Sequence, residues 1–398
     1  MPIRTLTLPL LAAVFAVAAC SQTRPPPKPP LGQASFASYR LETRQWLRQQ
    51  RQFVGADIER ELDYNSPHEW RPAGAPRGGV LLVHGLGDSP FSFVDIAPRL
   101  AQQGWLVRTV LLPGHGSAPQ SLLPVAMADW QQVVREQTQL LQREVGRVWL
   151  SGFSTGGNLV LGEALANAGI AGLLLFSPGL KSDSRLDWLT PWLAPLRPWL
   201  RPPEPGRAQQ TPVRYLNVPT NGFGQYYRSS ASVRAQLARQ PYPRPVLMVL
   251  SEHDSVLDVR YTLAQFSQRF SHPHSRLIWY GNAPASSDQR VLWRPDRLPQ
   301  QRISQFSHMS VLFAPDNPLY GRDGSLRLCQ NGQDAADDAA CRNGATVWYS
   351  DWGYREAGKV HARLTFNPYF DWQLQQIQQL LAGSSAGDAT LQQAADAR

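Results

Sequence analysis

Val148-Trp149-Leu150-Ser151-Gly152-Phe153-Ser154-Thr155-Gly156-Gly157 is the stretch that decides how this chain reads: a short apolar run ends in a serine held between two glycines. The apolar run reads as a buried strand, and the residues from Asn158 onward read as the helix that follows it. A chain that reverses this tightly pushes the serine into strained backbone angles, lifts its hydroxyl clear of the sheet and needs small neighbours. A Gly-x-Ser-x-Gly pattern turns up by chance in roughly one chain in several of this length. Its meaning therefore rests on what surrounds it.

Working outward, short apolar runs at 80–83, 106–112, 148–151, 173–177, 246–251 and 276–280 alternate with helical patterns at 93–103, 127–145, 158–168, 260–270 and 369–381. That alternation predicts the α/β class, a mostly parallel sheet with helices on both faces. Residues 180–240 break the rhythm with Trp188, Trp192, Trp199, Tyr215, Phe223, Tyr226 and Tyr227 among many prolines. Lying between two strands, this insertion is expected to cap the C-terminal ends of the sheet, where open parallel sheets bind ligands. Clusters of Trp and Tyr are more often core than pocket, and a cap over a site can be both. Residues 35–54 read as an amphipathic helix packed outside the main domain, which spans 35–382. The Ala-, Ser- and Gln-rich residues 383–398 are expected to be a disordered tail.

A serine hydroxyl is a poor nucleophile at neutral pH unless a histidine takes its proton and a carboxylate orients that histidine. In sheets of this kind the acid and then the histidine follow the serine, each after a later strand. Asp254 follows directly on the strand ending at Ser251, and His308 follows the last candidate strand and an insertion over 281–303. Ser154, Asp254 and His308 thus occur in the required order. Negative charge developing on a carbonyl oxygen needs backbone N–H donors. Thr155 supplies one, and Leu86, in Val80-Leu-Leu-Val-His84-Gly85-Leu86-Gly87, is the candidate for the other, with glycines on either side to let the backbone approach. Asp258 is a rival acid but stands where the next helix begins. His361 is a rival base but lies among residues that read as solvated structure near the final helix. His84 and His115 sit in glycine-rich loops and are expected to hold them by hydrogen bonds, and His253 is expected to be structural.

These motifs resemble those of the α/β-hydrolase superfamily, and within it the branch of bacterial carboxylesterases and monoacylglycerol lipases. The resemblance is carried by His84-Gly-Leu-Gly87, Leu112-Pro-Gly-His-Gly116, Gly152-Phe-Ser-Thr-Gly-Gly157, His253-Asp254 and Ser307-His308, over residues 80–381. It implies an α/β-hydrolase fold with Ser154 as nucleophile, Asp254 as orienting acid, His308 as base, Leu86 and Thr155 as oxyanion donors, and no cofactor or metal. The implied reaction is cleavage of a small-molecule or lipid ester through an acyl-enzyme. A thioesterase, peptidase or acyltransferase would use the same groups, and a non-catalytic envelope binding protein is the alternative from another class. The spacing from Asp254 to His308 is longer than usual for this branch, and the cysteine-bearing loop after His308 is an addition; both leave substrate preference open.

At the N-terminus, Arg4 precedes an apolar stretch from Leu6 to Ala19, too short for a membrane span and suited to a secretory signal over 1–19. It ends Val17-Ala18-Ala19-Cys20, which resembles the bacterial lipobox and implies that Cys20 is lipidated; Ser21 after it suggests the outer membrane. Residues 20–34, including Arg24-Pro-Pro-Pro-Lys-Pro-Pro30, are expected to form an extended stalk. The remaining cysteines, Cys329 and Cys341, form an even pair in an exported chain, for which a disulfide is the expected reading and free thiols or a metal site the alternatives. No histidine stands at zinc-motif spacing, so no metal is expected. The net charge of +9 is spread through arginine rather than gathered in runs. That argues against nucleic-acid binding, although a positive face would favour anionic lipid headgroups.

Overall fold

The computed structural model describes residues 27–396, with side chains as far as Gly383. The signal segment, Cys20 and Ser21 lie outside the described residues. The helices are α1 Phe36–Gln50, α2 Ile58–Asn65, α3 Ile96–Gln102, α4 Met127–Glu144, α5 Thr155–Ala166, α6 Thr190–Leu193, α7 Thr220–Arg239, α8 Val259–Arg269, α9 Ala335–Arg342 and α10 Phe370–Asp396. The strands are β1 Glu69–Trp70, β2 Gly79–Val83, β3 Leu106–Val110, β4 Val148–Phe153, β5 Ile170–Phe176, β6 Val246–Ser251, β7 Arg276–Tyr280, β8 Val291–Arg294, β9 Val347–Ser350 and β10 Val360–Arg363. The first eight make one sheet in the order β1-β3-β2-β4-β5-β6-β7-β8, parallel except for β1, while β9 and β10 form a small parallel pair.

The inner strands β2 to β7 are buried on both faces, and their alternation divides the core. Val80 and Leu82 join the cluster containing Ile96 and Leu100 of α3 and Leu374 and Ile377 of α10. Leu81 and Val83 join the opposite cluster with Trp130 and Val134 of α4, Val160 of α5 and Phe266 of α8. Period-two geometry permits this only if both faces are covered, which explains why these strands read as unbroken apolar runs. The chain steps from β2 to β3 on one side and then to β4 on the other, so the strand order reverses between β2 and β4. Ligands of open α/β sheets bind at such a crevice, beyond the C-terminal strand ends.

Differences from the sequence expectations have local causes. The segment expected at 93–103 begins with a 3-10 turn, Pro90–Phe93, before α3, because proline favours a first turn and cannot continue one. β8 was hidden in the 281–303 insertion because its apolar run, Val291-Leu292-Trp293, is only three residues long, is flanked by Arg290 and Arg294, and is only partly buried. The expected stalk is not free from Pro27 onward: the Pro27 carbonyl accepts from Trp46 Nε1 at 3.0 Å, Lys28 pairs with Asp129 at 2.6 Å, and Pro29 is buried. Residues 383–396, expected to be disordered, continue α10, in keeping with the helix preference of their alanines and glutamines. α1 packs as expected, through Phe36, Tyr39, Trp46 and Leu47.

Candidate active site

Register brings the two key loops together. Val83 of β2 pairs with Gly152 of β4, so the chain leaving β2 as His84-Gly85-Leu86 emerges beside the turn at Ser154. Ser154 has φ 53° and ψ −117°, a region costly for a residue with a side chain. The strain is held by tertiary contacts: Ser154 N–H donates to the Phe176 carbonyl at 3.0 Å, and its own carbonyl accepts from Gly157 and Gly179, each at 2.9 Å. A Cβ at Gly156 would overlap the carbonyl oxygen of Val83, so only glycine lets α5 start this close to β2. A Cβ at Gly85 would lie 3.1 Å from Ser154 Cβ, which measures how tightly the Leu86 loop abuts the serine. Thr155 opens α5, where its N–H has no acceptor within the helix. The helix starts there, three residues earlier than the apolar pattern suggests, because the glycines hide its first turn.

Asp254 and His308 meet: His308 Nδ1 donates to Asp254 Oδ2 at 2.6 Å, which leaves Nε2 without the proton and able to accept one. The other Asp254 oxygen accepts the N–H groups of Val256 and Leu257 at 2.8 and 3.2 Å. The His308 ring lies 4.9 Å from the ring of Phe153, the residue preceding Ser154, and its carbonyl accepts from Ser177 Oγ at 3.3 Å. Ser154 and His308 are each 8% exposed, enough to meet a small reactant but not bulk water. Asp258 instead caps α8, accepting from Tyr261 N–H and pairing with Lys181 at 2.7 Å. His361 is buried in β10 rather than solvated, because α9 and the disulfide loop cover the small sheet.

The remaining histidines do structural work. His84 Nε2 accepts the Leu112 N–H at 3.1 Å and Nδ1 donates to the Gly85 carbonyl at 2.8 Å, which ties the Leu86 loop to the following strand. Burial, with His115 nearby, holds His84 well below the usual histidine range, and burial pushes His115 down to about 4. His253 donates to Asp296 at 2.6 Å and pins the 281–303 insertion to the acid loop.

Sequence reasoning missed three groups. Asp88 lies under the Leu86 loop and pairs with Arg214 of the cap at 3.4 Å, while the Tyr215 N–H donates to the Gly87 carbonyl at 2.6 Å. Asp351 accepts the Ser255 N–H at 2.9 Å and supports the acid loop from a distant part of the chain. Tyr226 of α7 packs against Gly179, beside the nucleophile's backbone: a Cβ at Gly179 would lie 2.8 Å from its Cε2 and 3.3 Å from the Ser154 carbonyl carbon. The position of Asp88, immediately after Gly87, and the place of Tyr226 among the cap aromatics carried a sequence signal, whereas Asp351 carried none. Among the described residues no three His, Cys, Asp or Glu side chains converge to hold a metal ion. Cys329 and Cys341 are disulfide-bonded, with Cα atoms 5.6 Å apart.

The mostly parallel sheet, the strained serine at its switch point and the acid and histidine on later loops define an α/β-hydrolase. Residues 74–283 match the family described as serine aminopeptidase, S33, and the chain belongs to that family. It is a hydrolytic enzyme of the α/β-hydrolase fold. It is 26% identical over 180 residues to a thermostable monoacylglycerol lipase of Bacillus sp. (strain H-257), covering 45% of this chain and 71% of that protein. A metagenome-derived lipolytic enzyme matches with TM-score 0.46 and 22% identity, over 54% of this chain and 87% of the other. A monoglyceride lipase from Saccharomyces cerevisiae matches with TM-score 0.45 and 17% identity, over 57% and 85% of the two chains.

Proposed function

We propose that this chain hydrolyses carboxylic esters of glyceride type through Ser154, His308 and Asp254, while tethered by Cys20 to the outer membrane. The observation that carries the reading is the 2.6 Å Asp254–His308 pair on loops that converge on the strained Ser154. Ser154 Oγ attacks the ester carbonyl as His308 Nε2 takes its proton, and the N–H groups of Leu86 and Thr155 receive the negative oxygen. His308 returns the proton to the departing alcohol. Water, activated by the same imidazole, then releases the acid from the acyl-enzyme. The likeness to the Bacillus lipase supports a glyceride over a peptide. An aminopeptidase needs a carboxylate for the substrate amine, and Asp88, the carboxylate beside the Leu86 loop, is already paired with Arg214.

The tether reading is supported by geometry at the near end of the described chain. Lys28 pairs with Asp129 at the start of α4, and the neighbouring Met127 N–H is held by Gln225 of the cap helix at 2.9 Å. The chain thus enters beside the cap, whose Trp188, Trp192 and Leu196 are 49%, 75% and 83% exposed. An apolar cap facing a lipid surface would receive its substrate there. A fluorophosphonate probe should label wild type at Ser154 and leave the Ser154→Ala variant unlabelled. Turnover should favour glyceryl and p-nitrophenyl esters over peptides and thioesters; a protein that folds yet resists the probe, or prefers peptides, overturns the reading.

A further inference from the structure

Between the cap and the disulfide loop lies a groove of about 790 Å³ whose wall carries Arg201, Arg207, Arg214, Arg327, Arg342 and Arg363 and no carboxylate. The cap supplies the first three, the disulfide loop and its helix the next two, and β10 the last. Their acidic neighbours sit outside the wall: Glu204 pairs with Arg207, Asp88 with Arg214 and Asp338 with Arg342. Arg201 and Arg327 have no ion-pair partner among the described residues, and both are exposed. Arg214 Nε is buried and faces Asp88 Oδ1 at 3.4 Å, an ion pair without hydrogen-bond geometry. Six guanidinium groups around one space repel one another, and burial together with Arg214 pushes Arg363 down to about 10, against the pull of Asp351. Such an arrangement is relieved by an anion that several guanidinium forks can grip at once.

One side chain, Arg214, links the groove to the neighbourhood of the serine. Arg214 also lines a small cavity with Phe153 and Met309, the residues next to Ser154 and His308 in the chain. That cavity holds only about 10 Å³, room for one water, so an ester with its carbonyl at Ser154 reaches the groove where the Arg214 side chain gives way to its alcohol portion. Apolar side chains also line it, Leu216, Leu326 and Leu328 among them, so a ligand of mixed character fits better than a bare ion.

From this we infer that the groove is a leaving-group subsite for an ester whose alcohol portion carries a phosphate, such as an acylated glycerol phosphate. The inference rests on the ester-hydrolase reading above and narrows its substrate class. Hydrolysis remains the same reaction: the acyl–oxygen bond breaks, the phosphorylated alcohol leaves with the proton from His308, and water completes the acid.

The test compares a short-chain 1-acylglycerol 3-phosphate with the matching neutral monoacylglycerol and a succinate monoester, in wild type and in an Arg201→Gln/Arg327→Gln double variant. Wild type should show a KM about tenfold lower for the phosphorylated ester than for the neutral one, and the double variant should bring that ratio close to one. Glycerol 3-phosphate should inhibit competitively at lower concentration than inorganic phosphate, which separates a headgroup site from a site for the free anion. Equal KM values for phosphorylated and neutral esters, or a preference for the succinate ester, overturn the inference while leaving the esterase reading intact. If no ester is cleaved, that reading fails, and calorimetric titration of glycerol 3-phosphate into Ser154→Ala decides the groove by itself: saturable binding lost in the arginine double variant supports it, and no binding overturns it.

Discussion

At the residue scale, the arrangement at Asp254 shows how a carboxylate is kept ready to orient a histidine. Its two oxygens are divided between jobs: one takes the Val256 and Leu257 N–H groups and fixes the side chain, and the other takes His308. Asp254→Asn preserves the shape but lets the amide favour the wrong tautomer of His308. Turnover is expected to fall about ten-thousand-fold with little change in KM, measured by steady-state kinetics on a soluble p-nitrophenyl ester. Ser154→Ala should lose the acyl-enzyme altogether, and because alanine keeps the Cβ and with it the same backbone strain, the variant should fold about as well as wild type. Ser154 itself was legible from its flanking glycines, and Asp254 and His308 from chain order. Asp351 and Arg214 were not, since each reaches the site from a part of the chain with no motif of its own.

At the element scale, two devices hold the loops around the site. The buried pair His84 and His115, with ring centroids 4.9 Å apart, joins the loop after β2 to the loop after β3. Both histidines are neutral in the fold, while in the unfolded chain they take up protons near pH 6.5. The unfolded state therefore binds more protons below that value, so this contribution is complete above about pH 6.5 and is lost as pH falls toward about 4. For His115 the loss between pH 7 and pH 5 is of order 2 kcal/mol, to be read from urea midpoints at the two pH values. His115→Gln should flatten that slope. The second device is the Cys329–Cys341 bridge, which closes a loop with a sequence separation of 12 and pins α9 beside β10. Reduction should cost about 3 kcal/mol, seen as a lower midpoint under dithiothreitol and absent from a Cys329→Ser/Cys341→Ser variant.

At the scale of the whole molecule, the cap decides what reaches the serine. Residues 180–240 were legible as an insertion from their prolines and aromatics, but not how those aromatics divide. Tyr215 and Tyr226 turn inward, one onto the Gly87 loop and the other onto Gly179 beside the Ser154 backbone, whereas Trp188 and Trp192 turn out. Exposed tryptophans beside arginines suit the interface of an anionic lipid layer. A Trp188→Ser/Trp192→Ser variant should bind vesicles containing anionic lipid several-fold more weakly, in a sedimentation assay, while its turnover of a soluble short-chain ester stays near wild type.

The sequence by itself determined the α/β class, the alternation of strands and helices through the main domain, and the order in which Ser154, Asp254 and His308 follow one another. These follow from periodicity, glycine placement and chain order, all of which act locally or along the chain. Only the tertiary structure decided that β8 joins the sheet, that the chain from Pro27 lies against α1 and α4, that Asp88 and Arg214 meet under the Leu86 loop, and that six arginines from three distant segments share one groove. Each of these depends on which surfaces the fold brings together, and a charge or an aromatic ring carries no mark in the sequence of the partner it will face.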